Sequence, residues 1–347
     1  MNNLKKIVET SNHPKNGATL KSHKNTEYKI IKLTLKNYLI LAVLITVVFT
    51  SCKKDELAAS PTGENHLKYF GFTLIDVGWD DPLDTIIKTN YVDEVASFSN
   101  VADILVVNQT DNIITKMQLM SNNQMKAIIH LNDIFFEHVG AGGPSGALYD
   151  LRTDYQTRWN DFVTINNLTV NHAMVQAFFV GEEPTWNSIS YLELKAATDY
   201  IKATIPQVPI MIIEGYPVIN SLQVPTSVDW VGFDHYFIKD PKNSSVFLNE
   251  LSILKSKRSS QTQKIVLVLD AHFISWIHLD VGGITELEMK DVATSYYNLA
   301  QSDPDVVGLL GYFWPGGFDD PSAKGARELP QNAKDEYIRI GKIISGK

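Results

Sequence analysis

Cysteine occurs once in the 347 residues, at Cys52. A single thiol excludes an intramolecular disulfide framework and any metal site built from several cysteines. Basic residues are outnumbered, with 31 Lys and Arg against 39 Asp and Glu and a formal net charge of −8. A general nucleic-acid binder needs the opposite surplus, because affinity for phosphate comes from Lys and Arg, so no nucleic-acid partner is expected. No Gly-rich loop suited to cradling a phosphate is present, and no Ser-centred nucleophile elbow. Internal repeats and low-complexity tracts are also missing. The apolar run at 39–50, LILAVLITVVFT, is about twelve residues long, short of the roughly twenty that a membrane span needs.

What is there begins with that run. It follows Lys32 and Lys36 and suits the apolar core of a signal peptide. The four residues Phe49-Thr50-Ser51-Cys52 resemble the lipobox of bacterial lipoproteins, although Phe49 and Thr50 depart from its strictest form, which favours Leu at the first position. The resemblance implies that Cys52 takes a lipid and becomes the mature N-terminus. The alternative is a plain transmembrane anchor with an incidental cysteine. Lys53-Lys54-Asp55-Glu56 is similar to the surface-export signal of Bacteroidetes lipoproteins. Residues 1–51 are therefore expected to be a leader and 52–65 a polar, lipidated tether. Residues 66–347 are expected to form the folded domain, a monomer anchored in the outer membrane and exposed at the cell surface.

The whole chain is 44% hydrophobic and 20% charged, the balance of a folded protein. Eight short apolar runs stand at 67–77, 102–108, 125–132, 174–184, 208–217, 228–237, 264–273 and 306–317. Nearly continuous apolar stretches of this length suit parallel strands buried on both faces. Amphipathic helical patterns lie between them at 111–124, 155–170, 190–205, 247–260 and 285–301, and a last one at 333–345. The segment between the fifth and sixth runs is short, carries Pro225 and gives no convincing helix. Strict alternation of strand and helix over ~280 residues predicts an α/β fold of the (β/α)₈ TIM barrel type. An open doubly wound sheet is the alternative, but no Gly-rich turn follows the first strand.

In such a barrel the active site sits at the C-terminal ends of the strands. The first run ends in Asp76, followed by Trp79. The second ends in Asn108, the third in His130 and Asp133, and the fourth in Glu182 and Glu183. The fifth ends in Glu214 and Tyr216, and the sixth in Asp234, His235 and Tyr236. The seventh ends in Asp270 and His272, and the eighth in Tyr312 and Trp314. Any one of these could be a solvated rim residue. As a set, carboxylates with aromatic rings suit sugars, whose hydroxyls need acceptors and whose C–H faces need a flat apolar surface, and glycoside hydrolysis needs two carboxyl groups flanking the bond.

The sharpest motif is Gly181-Glu182-Glu183-Pro184. It resembles the Asn-Glu-Pro or Asp-Glu-Pro signature after the fourth strand of clan A barrel glycoside hydrolases. That resemblance implies that Glu183 is the general acid/base and that Glu182 binds a neighbouring hydroxyl. The phrase Asp229 to Tyr236 is similar to the sixth-strand motif of these barrels, and Trp314 resembles their aromatic platform under the sugar. The chain departs from the family at the seventh strand, where clan A carries a nucleophilic Glu and this sequence has Asp270. Asp270, Asp234 and Glu214, in that order, are the candidates for the second carboxylate. Asp76, Trp79, Asn108, His130, Asp133, Glu182, Tyr216, His235, Tyr236, His272, Tyr312 and Trp314 are the expected substrate-binding set, with carbohydrate as the partner and no cofactor or metal. Two rivals remain. One is a non-catalytic surface glycan-binding lipoprotein. The other is a metal-dependent barrel hydrolase using His130, His235 and His272 with Asp133, Asp234 and Asp270, although strand one ends Asp76-Val77-Gly78 and lacks the His-x-His of barrel amidohydrolases.

Overall fold

The computed structural model describes residues 66–347; the expected leader, tether and lipid-bearing Cys52 lie outside the described residues. The described chain is the expected barrel. Its strands are β1 (Tyr69–Phe72), β2 (Val101–Leu105), β3 (Lys126–His130), β4 (Val175–Glu182), β5 (Ile210–Gly215), β6 (Trp230–Asp234), β7 (Lys264–Asp270) and β8 (Val306–Tyr312). Each strand from β2 to β8 pairs in parallel with the next, and β1 pairs with β8. The seam between β1 and β2 closes differently. The Asp76 N–H bonds to Asp103 O at 3.2 Å, and the Asp103 carboxylate accepts from Leu74 N–H at 2.9 Å and Ile75 N–H at 2.8 Å. A side chain thus supplies part of the ladder where the short β1 has run out. Burial pushes Asp103 up to about 6 even though those two N–H groups favour its charged form.

The parallel strands bury both faces, as their apolar runs require. The inner face fills the barrel with residues such as Ile128, Phe179, Met211, Trp230, Val268 and Leu310. The outer face packs under the surrounding helices in the larger core, which includes Phe70, Phe72, Trp159, Phe178, Phe233 and Tyr296. The helix Tyr191–Thr204 starts at a capping box, in which the Ser190 side chain accepts from Glu193 N–H and the Glu193 side chain accepts from Ser190 N–H. The helices Ile114–Asn122, Tyr155–Ile165, Ser245–Ser256, Met289–Ser302 and Gln331–Ser345 stand where the periodicity places them. Between β5 and β6 there is only a 3₁₀ turn, Tyr216–Val218, carrying Pro217.

Two differences from the sequence reading bear on the site. Several strands are shorter than the apolar runs, and β8 stops at Tyr312 rather than running on to 317. An antiparallel hairpin, Phe136–Gly142 with Gly146–Leu151, is inserted between β3 and the helix Tyr155–Ile165. Its strands lack clean polar–apolar alternation and its turn is Gly-rich, so periodicity gives no sign of it.

Candidate active site

The site is organised around the turn that leaves β4. Glu183 has a left-handed backbone, φ 46°, uncommon for a residue with a side chain. Its N–H still donates to Ile213 O at 2.8 Å, so β5 anchors it. Past Pro184, the Glu214 carboxylate at the end of β5 accepts from Thr185 N–H at 2.8 Å and from Trp186 N–H at 3.3 Å. Asn187 completes the turn, donating its N–H to Glu183 O and its side-chain amide to Glu182 O. Glu214 is fully buried and is occupied with holding this loop. Burial lifts its pKa to about 7 against the donors that surround it.

The reversal at Glu183 gives the two adjacent carboxylates different surroundings. Glu182 is half exposed and pairs with His130 Nε2 at 3.1 Å. Burial opposes both charges, but their mutual attraction outweighs it, raising His130 and lowering Glu182. Glu183 turns towards β5 and β6. A Cβ built on Gly215 would stand 2.7 Å from Glu183 Oε1 and 3.1 Å from Asp234 Oδ1. The two carboxylates therefore flank the space that this glycine leaves empty. Gly215 has an ordinary φ of −80°, so room and not backbone freedom is what the glycine provides. Gly215→Ala should leave the fold intact, because the atom it strikes is the end of a flexible side chain, but displace the Glu183 carboxylate. A 1 Å misplacement at a reacting group can cost ~10²-fold. An unchanged melting temperature with a large fall in kcat would show this, and wild-type kcat would contradict it.

Asp234 is buried at the end of β6, and burial, then the charges of Glu214 and Glu182, push its pKa up to about 7 against the Tyr236 hydroxyl beside it. Glu183 is raised well above the carboxylate range, first by burial and then by the charges of Asp234, Glu214, Glu182 and Asp319. Tyr236 and Tyr312 stack at 5.2 Å and form an aromatic wall. The Tyr312 hydroxyl donates to Asp319 Oδ2 at 2.8 Å. Asp319 escaped the sequence reading because it lies beyond the strand end, in the Gly-rich loop after β8, and only the path of that loop returns it to the mouth.

The other expected residues divide. Tyr216 stacks on His235 at 3.7 Å, and His235 Nδ1 pairs with Glu250 Oε2 at 2.5 Å, which ties this pair to the helix Ser245–Ser256. Asp133 stands after β3, where its charge reaches His130. Asp76 is held in an ion pair with Lys116 at 2.8 Å. Trp79 donates to Gly316 O at 3.0 Å and meets Phe318 edge-on. Asn108 is exposed, and its side-chain oxygen closes its own loop by accepting from Thr110. Trp314 corrects the expectation of a sugar platform. Only 6% exposed, it packs edge-on against Phe72 at 4.8 Å in the outer core, and its indole N–H donates to Glu94 Oε2 at 2.7 Å. The inward–outward alternation ends with β8 at Tyr312, so the residue two positions on no longer shares its face.

Asp270 and His272 are sealed with His278, a residue that strand-end reasoning did not reach; they are 0%, 1% and 0% exposed. These three are the one group of potential metal ligands among the described residues. His278 Nδ1 lies 2.9 Å from Ile274 N and 3.1 Å from Ile274 O, and its Nε2 stands 3.2 Å from Asp270 Oδ1. His272 Nδ1 faces two acceptors, Tyr312 O at 3.1 Å and Asp270 Oδ1 at 3.3 Å, so it is protonated. All three side chains are sealed from solvent, whereas a catalytic metal keeps an open coordination position for water or substrate, so this donor set does not suit the metal-hydrolase reading. Phe237 N–H donates to Asp270 Oδ2 at 2.8 Å. Burial alone would raise Asp270, but the two imidazoles and this N–H outweigh it and hold it low. A groove of about 270 Å³ beside the Glu183 turn, lined by residues including Thr185, Ser188, Tyr191 and Gln223, contains none of these carboxylates.

No protein-family model matches the sequence, and no curated protein matches it. Solved structures do. A glucosidase from Croceicoccus marinus aligns with a TM-score of 0.55 over 82% of this chain and 68% of that one, at 11% identity. A GH113 β-1,4-mannanase aligns at 0.50 over 78% and 99%, also at 11% identity. Xylanase 10B from Thermotoga maritima aligns at 0.49 over 82% and 98%, at 15% identity. At such identities the likeness is one of architecture, the closed eight-stranded (β/α)₈ barrel that this chain shares with the glucosidase and the mannanase.

Proposed function

We propose that this protein is a glycoside hydrolase acting on an oligo- or polysaccharide, with Glu183 as general acid/base and Asp234 as the second carboxylate. The observation that carries this reading is the pair of carboxylates facing each other across Gly215 at the strand-end mouth. Of the three candidates for the second group, Glu214 is occupied by the β4 turn and Asp270 by its two histidines and Phe237 N–H. Asp234 shares with Glu183 the space beside Gly215. Two oxygens at 2.7 and 3.1 Å from a common point are nearer to each other than the ~6.5–9.5 Å that inverting enzymes keep open for water, which favours the retaining course.

The chemistry follows from those positions. Asp234 attacks the anomeric carbon as the bond to the leaving oxygen breaks, and Glu183 gives that oxygen its proton. The resulting glycosyl ester is then opened by water, whose proton returns to Glu183, and Asp234 is released as carboxylate. The half-exposed Glu182, held by His130, offers an acceptor to a substrate hydroxyl. Tyr236 and Tyr312 offer an aromatic face, in place of the buried Trp314.

Incubating the protein with a panel of neutral, acidic and amino-sugar glycans and measuring new reducing ends tests the reading. Hydrolysis of at least one glycan is expected. Binding without hydrolysis across the panel would replace it with the glycan-binding alternative. We further infer, from Phe49-Thr50-Ser51-Cys52 behind an apolar run, that Cys52 carries a lipid anchoring the protein in the outer membrane. Cys52→Ser should remain an unprocessed precursor without label from a radioactive fatty acid, and normal labelling of the variant would refute this.

A further inference from the structure

The hairpin inserted after β3 is fastened to the turn that carries Glu183. Its tip donates Ser145 N–H to Trp186 O at 3.0 Å, and its second strand donates Tyr149 N–H to Asn187 O at 3.1 Å. Leu151 N–H donates to Glu193 Oε1 at 3.0 Å, at the start of the following helix. Gly143 lies so close to Ser188 that a Cβ there would collide with the Ser188 hydroxyl. These contacts fix the hairpin's second strand alongside residues 185–188, on the same rim as the carboxylates.

Tyr149 is the aromatic residue that this arrangement presents. It is partly exposed and packs in part against the outer core. Across the hairpin its ring meets His138 edge-on, with centroids 5.4 Å apart and planes at 70°. The ring is thus braced by the core, by a cross-strand neighbour and by its own backbone bond to the turn. The charges of Asp133 and Glu182 both act on its hydroxyl, adding to burial in keeping the phenol protonated. A braced, partly exposed aromatic ring offers the apolar surface that the C–H face of a pyranose needs, and Asp133 and Glu182, whose charges reach its hydroxyl, are the acceptors available on this rim.

We propose that the hairpin builds a second sugar subsite next to the bond-breaking one, with Tyr149 as its platform and Asp133 and Glu182 as hydroxyl acceptors. The proposal rests on the glycosidase reading and sets its substrate class: glycans of several sugar units, recognised beyond the two rings that flank the broken bond. The hairpin makes the protein an enzyme for chains.

The test compares kcat/KM for an oligosaccharide from the hydrolysed glycan with kcat/KM for an aryl monosaccharide glycoside. In Tyr149→Ala the ratio of the two should fall about tenfold, the size expected for losing one aromatic contact face of ~1.4 kcal/mol. Tyr149→Phe, which keeps the ring, should retain most of the ratio. Calorimetric titration of the same oligosaccharide into Glu183→Gln, with and without Tyr149→Ala, reads the subsite without hydrolysis and should show a similar loss of affinity. An unchanged ratio in Tyr149→Ala, or oligosaccharide affinity untouched by it, would overturn the subsite. Failure of the wild type to hydrolyse any glycan, with Tyr149-dependent binding retained, would instead overturn the glycosidase reading and leave the subsite standing.

Discussion

Glu183→Gln is expected to lower kcat/KM on natural glycans by roughly 10²–10⁴-fold, the usual worth of a general acid. An alkoxide leaves poorly at neutral pH, so the glycosidic oxygen must be protonated as its bond breaks. A carboxyl group at its ordinary pKa would already have lost the proton. Glu183 keeps it because burial disfavours the charge and because Asp234, Glu214, Glu182 and Asp319 surround it with more of the same sign. Glutamine preserves the shape and the backbone turn but has no acid proton. The loss in kcat/KM, which reports bond breaking and not the later opening of the ester, should be far smaller on aryl glycosides with activated leaving groups, which depart without assistance. The ratio of the two losses is therefore the decisive measurement. Equal losses on both substrates would mean that Glu183 is not the acid.

Asp234→Asn is expected to remove activity on both kinds of substrate, because the attacking carboxylate is needed whatever leaves. The pH dependence carries the same assignment with opposite signs. As the proposed nucleophile Asp234 must be ionised, and burial pushes its pKa up to about 7, so activity should fall as the pH drops below about 7. Glu183 works only when protonated, and its pKa is raised, so activity should fall again as the pH climbs through it. The profile of kcat/KM is then bell-shaped and displaced towards higher pH than ordinary carboxylates would give. Its two limbs belong to the pair rather than to either residue alone. In Glu183→Gln, assayed on an activated glycoside, the alkaline limb should vanish and the acid limb remain. A wild-type optimum near pH 4 would contradict the assignment. Asp270→Asn separates the rival nucleophile. If Asp270 served that role, it would abolish turnover without loss of stability, whereas the structure predicts a lower melting temperature with turnover surviving in the folded fraction.

The sequence by itself determined the architecture and the central motif. Eight nearly continuous apolar runs separated by amphipathic stretches leave few arrangements other than a parallel barrel, because a strand buried on both faces needs helices to cover one of them. Gly181-Glu182-Glu183-Pro184 was legible because a carboxylate pair at the end of a buried strand is costly and conspicuous. Tertiary structure decided what each strand-end residue faces. Glu214, Asp234 and Asp270 look equivalent as letters after apolar runs, and only distant partners separate them: the N–H groups of residues 185 and 186, the space at Gly215, and the imidazoles of His272 and His278. Trp314 was misplaced because alternation holds only while a strand continues, and β8 ends two residues earlier. Asp319 and Tyr149 were invisible for a related reason. Both lie in segments without periodicity, and their places, Asp319 against Tyr312 and Tyr149 against the β4 turn, are set by contacts that no local pattern records.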